Sequence, residues 1–126
     1  MTGDRDSSAR LVLASAGLIG AAGVVSAAAA SHTGESRNLA AIAAICLAHG
    51  PALLALTLAG RGRILQVAAV LLAVGTLIFA GDLGIREWAG HGLFPGAAPL
   101  GGVAMIAGWL AVVVAALFWR RSPVAI

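Results

Sequence analysis

The chain predicts an all-α membrane protein, an antiparallel bundle of four transmembrane helices. Three observations carry that expectation. The 126 residues are 60% hydrophobic and 10% charged, with a mean hydropathy of +0.99, whereas soluble domains are about half apolar and a quarter charged. Apolar runs fall at 11–31, 38–60, 64–84 and 101–119, close to the roughly 20 residues that cross a hydrocarbon core of about 30 Å. Charged residues gather at the ends of these runs. The length suits one domain, 1–126, and a soluble core of that size could not hide so many apolar side chains.

Met1 to Arg10 reads as a mobile polar tail. The first run, Leu11 to Ser31, is uncharged but rich in Ala, Gly and Ser. A cleaved signal peptide is its rival reading, with Ala27 to Ala30 as the cleavage site. Retention is favoured because the run exceeds a 7–15-residue signal core. Ala16, Gly20, Gly23, Ala27 and Ala30 also form a small-residue seam suited to close helix packing. The second run carries an analogous seam at Ala41, Ala44, Ala48, Ala52, Ala55 and Ala59, interrupted by His49-Gly50-Pro51. Gly60-Arg61-Gly62-Arg63 is a tight turn. The third run places Ala69, Ala73, Thr76, Ala80 and Gly84 on one face, and the fourth Ala104, Gly108, Ala111 and Ala115. Between them, Ala89 to Leu100 reads as a loop or a dip into the interface, and Pro99 sits near a helix start, where its missing N–H matters least.

Four alternating spans bring the termini to one side. That side holds Arg5, Arg10, Arg61, Arg63, Arg120 and Arg121; the other holds Arg37 and Arg86, beside Glu35 and Glu87. The positive-inside rule then expects both termini in the cytoplasm, with the chain in a bacterial inner membrane. Trp88 and Trp119 fall at opposite interfaces. All eight basic residues are Arg at span ends, so the pI of ≈ 11.2 speaks for membrane orientation and anionic lipid, not nucleic acid. The partners expected are the lipid bilayer and either a second copy or another membrane protein.

His49, Thr76 and Trp109 each come out roughly 16–18 Å deep, near the bilayer centre. Pro51 frees the Leu47 carbonyl, having no N–H to donate. The expectation is an intramembrane polar cluster of His49, Thr76, Trp109 and Pro51 whose groups satisfy one another. It reads either as a structural knot or as a proton or solute pathway titrating at His49. Cys46 and His49 share a helix face, but two ligands are too few for a closed metal site. Nearer the other surface, His32, Asp82 and Arg86 form a second candidate cluster, with Glu87 and His91 nearby. Asp82 and Arg86 have i, i+4 ion-pair spacing. No phosphate loop, nucleophile elbow or HExxH motif occurs, and no cofactor or metal is expected.

Several segments together resemble the small four-span bacterial inner-membrane proteins of domain-of-unknown-function family 423. Ala29-Ala30-Ser31-His32 is similar to the family's Gly-Ala-His, and Ala48-His49-Gly50-Pro51-Ala52-Leu53 to its Tyr-His-Ala-Leu-Ala-Leu. Phe79-Ala80-Gly81-Asp82-Leu83 resembles Phe-Ser-Gly-Ser-Leu, with Asp82 at the Ser position. Pro99-Leu100-Gly101-Gly102 and Ala107-Gly108-Trp109 resemble Pro-Ile-Gly-Gly and Ala-Gly-Trp. The resemblance implies the four-span fold, the membrane location and a retained first helix, but no activity. The leading expectation is a non-enzymatic protein acting through helix packing in assembly or envelope homeostasis. The alternative is a small-solute or proton-linked transporter using His49 or the Asp82 region.

Overall fold

A computed structural model describes residues 2–34, 36–59 and 62–120. They form α1 (Thr2–Thr33), α2 (Arg37–Ala59), α3 (Arg63–Ala89) and α4 (Ala97–Leu117). All four are long and apolar enough to cross a membrane, and they pack against one another as an all-helical bundle with no strand among the described residues. Short connections make successive helices antiparallel. One end of the bundle therefore holds the α1–α2 and α3–α4 connections and is here termed the loop end. The expected turn residues Gly60 and Arg61, together with Glu35 and Arg121, lie outside the described residues.

Two boundaries differ from expectation. The N-terminal segment, expected as a polar tail, is helical: α1 begins at Thr2, with Asp4 in its first turn, where a carboxylate favours a helix start, and the Ser7 hydroxyl donates to the Gly3 carbonyl. The segment from Ala97 to Leu100 is the first turn of α4, not loop, with Pro99 at a position needing no N–H donor. The connection is thus only Gly90 to Gly96.

Backbone-close crossings hold each hairpin together. In α1/α2, a Cβ on Gly50 would lie 3.1 Å from the Gly20 Cα, and one on Gly23 would lie 2.9 Å from Leu47 Cγ. In α3/α4, a Cβ on Gly75 would meet the Gly101 carbonyl at 2.8 Å, and one on Gly108 would meet Leu72 Cγ at the same distance. Lipid gives apolar helices no hydrophobic reason to associate, so closeness of this kind supplies the dispersion energy instead. The small-residue faces of α1, α3 and α4 point inward as expected, through Ala16 and Gly23, Ala69 and Ala73, and Gly108 and Ala115.

The α2 seam is a correction. Ala44, Ala48, Ala55 and Ala59 are exposed, and the buried face is Leu39, Ile42, Ala43, Cys46, His49, Gly50 and Leu53. The reason lies in the position of α2 against both α1 and α3: its inward face meets two helices at once, and large side chains fill the space between them. Leu53 and Cys46 are fully buried there, with Ile19 and Leu72. By contrast, α4 packs on α3 alone, with no close backbone approach to α1 or α2 among the described residues.

Candidate functional site

His49 reaches the interior because it continues the inward spacing of Leu39, Ile42, Cys46 and Leu53. Trp109 extends from α4 and donates its indole N–H to His49 Nε2 at 3.1 Å. An indole nitrogen can only donate, so Nε2 must be the acceptor and Nδ1 carries the proton. Nδ1–H in turn donates to the Ile45 carbonyl at 2.8 Å. The two rings meet edge to face, with centroids 5.7 Å apart and planes at 67°. This bond explains a Trp at mid-depth: Trp109 is 45% exposed on its apolar side while its single polar atom turns inward. It also bridges α4 to α2, two helices whose backbones do not meet closely.

The rest of the expected cluster does not assemble. Thr76 is completely buried, but its hydroxyl donates to the Leu72 carbonyl of its own helix at 2.6 Å, not to His49 or Trp109. An i−4 carbonyl is always within reach of a helical hydroxyl, so no partner on another helix is needed. Pro51 is exposed on the outward face of α2, and no side chain of the cluster bonds the Leu47 carbonyl it leaves free. Cys46 is buried beside this region. No three His, Cys, Asp or Glu side chains among the described residues come together as a metal-ligand group.

At the loop end Asp82 is wholly buried, and both of its oxygens are engaged. Oδ2 accepts the Arg86 Nε–H at 2.8 Å, as the i, i+4 spacing suggests, and Oδ1 accepts the Leu93 backbone N–H at 2.8 Å. The second bond fastens the α3–α4 connection to the side of α3. Gly90 makes it possible by ending α3 in the left-handed conformation (φ 76°), its N–H on the Arg86 carbonyl. Gly92 passes so close that a Cβ there would lie 2.5 Å from Asp82 Oδ1 and 2.8 Å from an Arg86 guanidinium nitrogen. His32, expected in this cluster, is exposed in the last turn of α1 and bonds neither Asp82 nor Arg86. His91 is also exposed, with Nδ1 against the Gly92 carbonyl.

A third polar contact escapes sequence reading. Ser36 caps α2 by accepting the Leu39 N–H at 3.2 Å and donates its own hydroxyl to Glu87 Oε2 at 2.8 Å. Asn38 Nδ2 donates to the same oxygen at 3.2 Å. A Ser just before an apolar run is a legible N-cap signal. Its link to a carboxylate 51 residues away has no local signature.

His49, the Asp82 corner, all of α2 and α3, and parts of α1 and α4 lie in the region that a family model for "Protein of unknown function (DUF423)" matches, residues 19–102. The chain belongs to the DUF423 family. This DUF423 member matches no curated protein and no solved structure. Its matched region takes in the Gly92 crossing and both hairpin junctions, whereas Trp109, the donor to His49, lies beyond it.

Proposed function

We propose that this DUF423 protein is a non-enzymatic integral protein of the bacterial inner (cytoplasmic) membrane, with both termini in the cytoplasm, that acts through helix contact in assembly or envelope homeostasis. The observation that carries this reading is that His49 and Asp82, the buried histidine and carboxylate among the described residues, are both occupied within the chain. Both ring nitrogens of His49 and both oxygens of Asp82 have partners, so neither is left as a base, nucleophile or relay. The Ala44, Ala48 and Ala55 face of α2, which the bundle itself does not use, offers a flat surface to another membrane helix, either a second copy or a different protein. Orientation rests on the six arginines near the termini and middle turn against two at the loop end.

The competing reading is proton-linked or small-solute transport through His49 or the Asp82 region. Reconstitution in liposomes separates the two. Wild-type protein is expected to support no pH-driven flux, and His49→Ala to lower thermal stability. A flux that His49→Ala abolishes while the melting temperature holds would establish transport instead. Capture of partners from the native membrane, with a C-terminal reporter for sidedness, would then name the assembly.

A further inference from the structure

We draw no further inference here: the strongest candidate, the open apolar groove between α1 and α3 that Leu18, Cys46 and Trp88 help to line, carries nothing because nothing in the structure shows what covers it.

Discussion

The two polar centres of this bundle solve the same problem in opposite ways. At mid-depth, His49 and Trp109 are neutral and joined by one hydrogen bond between helices whose backbones do not approach closely among the described residues. At the loop end, Asp82 and Arg86 are charged, adjacent on one helix and wrapped by the connection that follows. A charge in hydrocarbon is far costlier than a neutral dipole. Full charges accordingly sit near the edge, where the backbone itself closes the site, and only a neutral imidazole–indole pair is used deep in the membrane. The first arrangement depends on long-range positioning and the second on local geometry, so they should fail differently.

Asp82→Ala is expected to have the largest effect. It removes the acceptor of the Leu93 N–H and the partner of Arg86 together, which should free residues 90–96 to proteases and lower the melting temperature more than any other substitution considered. Asp82→Asn keeps an oxygen for Leu93 and should be milder. If limited proteolysis finds this connection equally protected in Asp82→Ala, the loop end is not organised by its carboxylate. Next comes Gly92→Ala. Its methyl group would stand 2.5 Å from Asp82 Oδ1, and overpacking of this kind costs about 1–3 kcal/mol. Reversible unfolding in detergent measures it, and a neutral outcome would mean the loop does not press on the ion pair.

The mid-depth centre should be softer. Trp109→Phe keeps the ring but removes the donor to His49 Nε2, and an interhelical hydrogen bond in a membrane contributes about 1 kcal/mol. Because α4 packs only on α3, the same change should loosen α2 against α4 while leaving α3 and α4 together. Distances between spin labels on the helix pairs would detect that. Equal loosening of α3 from α4 would show that the bridge is not specific to the α2–α4 gap.

What could be read from the chain follows the same division. Helix number, span positions and three of the four packing faces were legible, because lipid exposure and small-residue spacing are local signals. The Asp82–Arg86 pair was legible for the same reason, as was a His49–Trp109 contact, since both estimated depths agreed. The α2 face was misread because its orientation depends on lying between two neighbours, which spacing along one helix does not encode. The bonds from Leu93 to Asp82 and from Ser36 to Glu87 depend on how chain ends converge, and no periodicity carries that. Helical order in residues 2–10 was missed because their polarity suggested a tail, although Asp4 also favours a helix start.

Thr76 gives the smallest effect and the finest test of the comparison. Depth alone places it with His49 and Trp109, yet its hydroxyl bonds its own helix. In Thr76→Val the Leu72 carbonyl keeps the backbone N–H of residue 76, so no buried group loses its only partner. A methyl group replaces the hydroxyl at nearly equal volume in a fully buried position. The expected loss of stability is below about 0.5 kcal/mol, since the bond was made within the helix and a membrane side-chain hydrogen bond averages about 0.6 kcal/mol. The His49 ring resonances in NMR should not move, and Trp109→Phe combined with Thr76→Val should be additive. A coupling energy above about 0.5 kcal/mol between those two substitutions would place Thr76 in the mid-depth centre after all. The centre would then be a network, and the contrast with the loop end would narrow to charge alone.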